Sequence, residues 1–276
     1  MAEITVGKEN SAPIHLYYED HGSGKPVVLI HSWPLDGASW EKQTMALLGA
    51  GQRVILYDRR GFGKSSRPAL GYDYDTFAED LHKLITHLDL HDTALVGFSM
   101  GAGEVARYVG KYGKERVRKA AVLSGITPYL LKASDNPTGV EGGLFEEIQE
   151  GLRADRPAFL QKFMSDFYNF DSLEAGRISE AAVQASWVTA VQASPKGTLD
   201  CVRAWTTDFR PDVQRMDLPT LVIHGDADRI VPQSATAAVM AKTLKGAKSV
   251  TVKGGPHGIL WTHADQVNTE LVAFLR

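Results

Sequence analysis

Gly97-Phe98-Ser99-Met100-Gly101 is the stretch of this 276-residue chain whose residue types and spacing most directly suggest chemistry. It follows the apolar run ALVGF and precedes a segment of helical periodicity. A G-x-S-x-G turn between a strand and a helix holds its serine in a strained backbone, with glycines where side chains would clash. It also places the serine at a helix N-terminus, whose N–H groups and dipole favour a developing oxyanion. The competing reading is a tight turn that only needs glycine. A serine hydroxyl attacks poorly until a base takes its proton, so Ser99 calls for a histidine.

The chain has nine histidines. His82, His87 and His91 fall on or just after one amphipathic segment and are expected to face solvent. His87 and His91 have the i,i+4 spacing of a metal pair but lack the H-E-x-x-H glutamate. His257 sits in Gly254-Gly255-Pro256-His257-Gly258, directly after the strand-like SVTVK. Loops at the carboxyl ends of strands are where α/β enzymes place catalytic side chains. The segment LVIHGDADRIVP offers two carboxylates to orient that base. Asp228 is preferred because it lies deeper in the loop. Asp226, directly after Gly225, is expected to organise the turn through its own hydrogen bonds. The candidate constellation is Ser99 as nucleophile, His257 as base and Asp228 as orienting acid.

Such residues need strands that end together. Apolar, β-branched runs at 14–19, 27–31, 53–58, 94–98, 119–123, 220–224 and 249–253 read as strands. Several are continuous rather than alternating, as expected for a mostly parallel sheet covered on both faces. Helical periodicity at 76–88, 101–112, 234–244 and 264–274 completes an α/β alternation. Between about 126 and 216 the strands stop. Helical patterns at 143–154, 157–168, 179–191 and 197–206, punctuated by prolines, read as a helical cap inserted into the core. The expected division is core 1–125 and 217–276, cap 126–216.

Composition narrows the functional classes. With 43% hydrophobic and 23% charged residues the chain has an ordinary globular balance. A net charge of -3 gives no electrostatic case for nucleic acid or an anionic membrane. No apolar run is long enough to span a bilayer, and the first residues lack a secretory h-region, so a cytoplasmic protein is expected. Cys201, the single cysteine, excludes an intrachain disulfide and a cysteine-based zinc site. Gly63-Lys64-Ser65 is not a P-loop, because the position of its first glycine holds Asp58.

The whole chain resembles the α/β-hydrolase superfamily, and within it the cofactor-free bacterial haloperoxidase (perhydrolase) and arylesterase group. The resemblance is carried by YYEDHG at 17–22, PVVLIH at 26–31, YDRRGFGKSS at 57–66 and GYDYDTFA at 71–78. GFSMG at 97–101, GEVARY at 103–108, and GPHG at 255–258 with Trp261-Thr262-His263 extend it. It implies an α/β-hydrolase fold: a mostly parallel eight-stranded sheet flanked by helices, with a helical cap. The triad transfers onto Ser99, Asp228 and His257, and the oxyanion-hole amides onto Met100 and Trp33. Where the family usually reads His-Gly, this chain has His31-Ser32-Trp33-Pro34, which removes a glycine's freedom for positive φ. Phe98, Ile126 and Trp205, with Trp33, are implied to line the substrate pocket; each also reads as core packing.

The implied function is a serine esterase and perhydrolase working through an acyl-enzyme. It would form a peracid from a carboxylic acid and hydrogen peroxide and thereby halogenate, without cofactor or metal. A simple carboxyl or aryl esterase or a lactonase would use the same site. A ligand-binding or signalling protein on this fold is the alternative from another class. Small-molecule ester, carboxylic acid and hydrogen peroxide are the expected partners, and a homo-oligomer, often a trimer in the family, is the expected assembly. Pro34, which restricts Trp33, is expected to help aim the Trp33 carbonyl at incoming peroxide.

Overall fold

Continuous apolar runs become the centre of a sheet. The computed structural model describes residues 2–172 and 177–276. In chain order it contains β1 (Ala2–Glu9), β2 (Ala12–His21), β3 (Pro26–Ile30), α1 (Glu41–Gly49), β4 (Arg53–Tyr57), α2 (Tyr74–His87), β5 (Thr93–Phe98), α3 (Met100–Tyr112) and β6 (Val117–Leu123). There follow α4 (Gly142–Tyr168), α5 (Glu180–Gln192), α6 (Pro195–Ala204), α7 (Arg210–Val213), β7 (Thr220–Gly225), α8 (Ala237–Thr243), β8 (Lys248–Val252), α9 (Ile259–Thr262) and α10 (Ala264–Leu275). The eight strands form one sheet in the order β1-β2-β4-β3-β5-β6-β7-β8. β1 and β2 pair antiparallel, as do β2 and β4, and every other pairing is parallel.

Every residue of β5 and β7 is buried, as both faces of a parallel sheet demand once helices cover them. α2 packs on α3 and α1 packs on α10. Between β6 and β7 the chain is mainly helical, with α4 packed on α5 and α6. The helices expected at 143–154 and 157–168 are the two halves of α4, separated by a kink at Asp155 (φ -153°, ψ 89°). Pro157 supplies the cause, since it has no N–H and clashes with the preceding turn. Asp155 restarts the helix by accepting a hydrogen bond from the Ala158 amide at 3.1 Å.

Four elements go beyond the strands and helices read from periodicity: β1, α1 and the single-turn helices α7 and α9. β1 is an edge strand with alternating exposure, joined to β2 by a short turn in which Asn10 takes a left-handed φ of 53°. α1 buries only Gln43 and Leu47, too narrow a stripe to register as a helical repeat. Among the described residues no helix is long and apolar enough to cross a membrane.

Candidate active site

Ser99 stands between β5 and α3 at φ 55°, ψ -114°, a region that non-glycine residues rarely occupy. The flanking glycines make that turn possible. A Cβ on Gly97 would lie 2.4 Å from the Gly101 carbonyl oxygen, and one on Gly101 would lie 2.3 Å from that of Ile30. Helix and strands thus approach more closely than any side chain would allow, and Ser99 is held at the carboxyl edge of the sheet.

His257 reaches Ser99 from the loop between β8 and α9. The Ser99 hydroxyl lies 2.8 Å from His257 Nε2, and His257 Nδ1 lies 2.8 Å from Asp228 Oδ2. A carboxylate only accepts, so the proton sits on Nδ1 and Nε2 keeps a lone pair for the serine. The imidazole is 1% exposed. It stacks on Phe98, with centroids 5.3 Å apart, and meets the edge of Phe167 at 4.8 Å. The Gly258 amide donates to the Phe167 carbonyl at 2.8 Å, tying this loop to α4.

Asp228 is the carboxylate that meets the histidine. Its Oδ1 accepts from the amides of Ile230 at 2.9 Å and Val231 at 2.8 Å. Burial alone would raise its pKa. The charge of His257 and hydrogen bonds from His224 and His257 outweigh burial and hold the carboxyl well below the usual range. Asp226 instead accepts from the Gly254 amide at 2.6 Å and joins the two loops. Asn169, the left-handed residue ending α4, donates to the Ala227 carbonyl at 2.8 Å.

Met100 opens α3, so its N–H is one of the first-turn donors with no intrahelical partner. Trp33 lies in the loop after β3 and lines the same cavity as Ser99. Ser32 is not among the residues of positive φ, so the loop has no need of glycine there. The Trp33–Pro34 peptide is cis. The Trp33 indole donates to the Thr198 carbonyl at 3.1 Å and meets Trp205 and Phe163 edge-on.

Beneath this loop lies a buried polar network that motif reading did not anticipate. Arg59 and Glu104, 1% and 0% exposed, form an ion pair, and the Tyr57 hydroxyl donates to the same carboxylate. Arg59 donates from Nη2 to the His31 carbonyl at 2.8 Å and from its amide to His31 Nε2 at 2.9 Å. His31 Nδ1 in turn donates to the Ser32 carbonyl at 2.8 Å. Burial first, then the Arg59 charge, push the pKa of His31 well below its ordinary value, so it stays neutral. Glu104 reads in sequence as an ordinary polar helix position; only the burial of Tyr57 and Arg59 on β4 and after it explains its placement.

A cavity of about 370 Å³ opens beside Ser99, with Trp33, Ile126, Leu130, Phe145, Phe163 and Trp205 on its walls. Lys162, Asp166 and Arg229 also line it. Ile126 and Trp205 therefore reach the cavity, whereas Phe98 does not. As the last residue of β5 it points under the imidazole, against Trp40 and Phe167, and lines a second cavity of about 170 Å³. Expected on the substrate pocket, Phe98 instead backs the His257 ring.

The remaining candidates have structural partners. His82 is stacked on Tyr112 at 4.0 Å rather than facing solvent freely, and His91 pairs with Asp89 at 3.0 Å. Cys201 is fully buried, and burial raises its thiol pKa far above the ordinary value. Among the described residues no group of three or more His, Cys, Asp or Glu side chains is arranged to hold a metal ion.

A family model described as alpha/beta hydrolase fold matches residues 25–264. A Synechocystis sp. protein, provisionally named a non-heme chloroperoxidase, is 59% identical over the full length of both chains. The bifunctional esterase/perhydrolase of Acinetobacter calcoaceticus is 33% identical over 95% of this chain and 96% of its own. Among solved structures, the bromoperoxidase from Bacillus anthracis superposes with a TM-score of 0.96 at 48% identity, covering 99% of each chain.

Proposed function

Because the chain belongs to the alpha/beta hydrolase family, we propose that it is a serine esterase and perhydrolase, a haloperoxidase that works through an acyl-enzyme on Ser99. The observation that carries this reading is the pair of 2.8 Å contacts linking Ser99 to His257 and His257 to Asp228. The names of its relatives, chloroperoxidase, bromoperoxidase and esterase/perhydrolase, give it the same direction.

In this mechanism His257 Nε2 takes the Ser99 proton as Oγ attacks the carbonyl of an ester or a carboxylic acid. The amides of Met100 and Trp33 donate to the tetrahedral oxyanion. The leaving alcohol, or water when the substrate is an acid, departs with the proton returned by His257. Water then cleaves the acyl-serine to the acid, or hydrogen peroxide cleaves it to the peracid; His257 again takes the attacking proton and gives it back to Ser99. The peracid oxidises bromide or chloride, with one proton consumed, to the hypohalous acid and the parent carboxylic acid. Each step on the protein uses groups that the chain itself supplies.

The apolar walls beside Ser99 suit an acyl or aryl group, and α4 to α7 would serve as a cap of about 126–216 over it. A cytoplasmic homo-oligomer belongs to the same reading, and light scattering would give its size. The test compares wild type with Ser99→Ala on p-nitrophenyl acetate, and on monochlorodimedone with peroxide, bromide and acetate. Loss of both activities in the variant supports one shared acyl-enzyme. A wild type that neither hydrolyses esters nor halogenates would overturn the reading and leave ligand binding.

A further inference from the structure

A second histidine grips the triad carboxylate. His224 lies on β7, four residues before Asp228, and its side chain is 1% exposed. Its Nε2 is 3.0 Å from Asp228 Oδ2 and 2.9 Å from the Val231 carbonyl oxygen. Both neighbours are acceptors, so the proton must be on Nε2, shared between them. Nδ1 is buried with no hydrogen-bond partner among the described residues, a fitting place for the lone pair.

Asp228 thus has four donors. The amides of Ile230 and Val231 hold Oδ1, and the two imidazoles meet on Oδ2. The reaction as described needs only one of those imidazoles. Val231 completes a clasp, its amide bonded to Asp228 and its carbonyl to His224. Resting on the triad reading above, we propose that His224 is a positioning residue: its Nε2–H fixes Oδ2 independently of His257 and carries part of the carboxylate's charge.

Two consequences follow from this geometry. When His257 takes the serine proton its Nδ1–H pulls harder on Oδ2, and because the backbone amides secure only Oδ1, His224 keeps the second oxygen in line. A carboxylate partly neutralised by a second donor also stabilises the His257 imidazolium less, so His224 moderates the base. The titratable side chains acting most on Asp228 are these two histidines. From the other elements, Ser99 and the apolar rings of Phe98 and Phe167 face His257, while Arg229 turns away to Asp171 at 2.7 Å.

His224→Leu removes the donor, whereas His224→Gln carries an N–H of similar reach. With p-nitrophenyl butyrate, His224→Leu should lower kcat about tenfold with little change in KM, a loss in the range set by a hydrogen bond to a charged group. Its acid limb of kcat/KM should move to higher pH, because the Asp228 carboxylate is then less compensated. His224→Gln should recover most of the rate and return the limb toward wild type. Equal losses in both variants with an unmoved limb would mean that His224 only packs, and the inference falls.

A measurement that leaves His224 in place guards against a His224 variant that does not fold. In protein labelled with ¹⁵N-histidine, the His224 Nε2–H resonance should shift as His257 is protonated, and move again in Asp228→Asn. A resonance indifferent to both would overturn the proposal. Ser99→Ala in the same assays separates the two levels: if it retains full activity the triad reading itself fails, whatever His224 does.

Discussion

Replacing Glu104 by glutamine would leave the Arg59 guanidinium charged inside the protein with its counter-ion gone. Both side chains are almost wholly excluded from solvent. Breaking a buried pair by removing one partner costs about 3–5 kcal/mol, because the remaining charge is desolvated without compensation. Against a typical total stability of about 5–15 kcal/mol that is a large fraction. With a urea slope of about 2–3 kcal/mol/M, the denaturation midpoint of Glu104→Gln should fall by about 1–2.5 M.

A second variant separates stability from function. The triple substitution Tyr57→Phe, Arg59→Met, Glu104→Leu removes the whole network, and buried ion pairs replaced by apolar groups of similar size are often neutral. Its midpoint should return close to wild type, or at least well above the single variant. Turnover should not return with it. Arg59 also holds the His31 carbonyl at 2.8 Å, and His31 begins the loop that carries Trp33, whose amide is the proposed second oxyanion donor. A displaced oxyanion donor costs up to about 10²–10³ in kcat, so a loss of at least tenfold on p-nitrophenyl acetate is expected. If Glu104→Gln loses less than about 1 kcal/mol, or the triple variant turns over like wild type, the account of this network is wrong.

Gly101→Ala would drive a Cβ to 2.3 Å from the backbone oxygen of Ile30, which cannot swing aside. A destabilisation of at least about 2 kcal/mol is expected, read from thermal melts; a melting temperature within 2 °C of wild type, against a shift of several degrees, would refute it. Asp36 titrates at about 6, raised first by burial and then by the neighbouring Asp58. Its folded pKa exceeds the unfolded value, so wild type should lose roughly 1–3 kcal/mol relative to Asp36→Asn as pH rises from 4 to 6. A difference independent of pH across that window would exclude Asp36 as the source. Pro34→Leu should change the ratio of perhydrolysis to hydrolysis on one acyl donor, through the aim of the Trp33 carbonyl; an unchanged ratio removes Pro34 from peroxide selection.

What sequence reading could and could not reach follows from the range of the forces involved. Five of the seven strands read from sequence, β3 to β7, lie inside the sheet, where apolar runs are continuous; β2 and the mostly exposed edge strand β8 are legible from their β-branched alternation. β1 alternates at an exposed edge and gains its place only by pairing with β2, so its own residues carried little signal. Ser99, Asp228 and His257 were legible because each sits in a loop with its own local grammar, and because their chain order matched the chemistry. Asp228 could be chosen over Asp226 on loop position, and the two do have different hydrogen-bond partners.

The supporting residues were illegible for the opposite reason. Glu104 is 45 residues from Arg59 along the chain. Nothing in a helical register distinguishes a glutamate facing solvent from one that must neutralise a buried arginine. Phe98 illustrates the same limit at short range: one residue before Ser99, it reads as a pocket residue, yet the strand's alternation sends it under the histidine instead. The residues proposed to perform chemistry are therefore marked by their turns, whereas those that hold them in place are marked only by what they touch. Substitutions at Glu104 and His224 should accordingly alter rate and stability as strongly as their unremarkable sequence settings would lead one to discount.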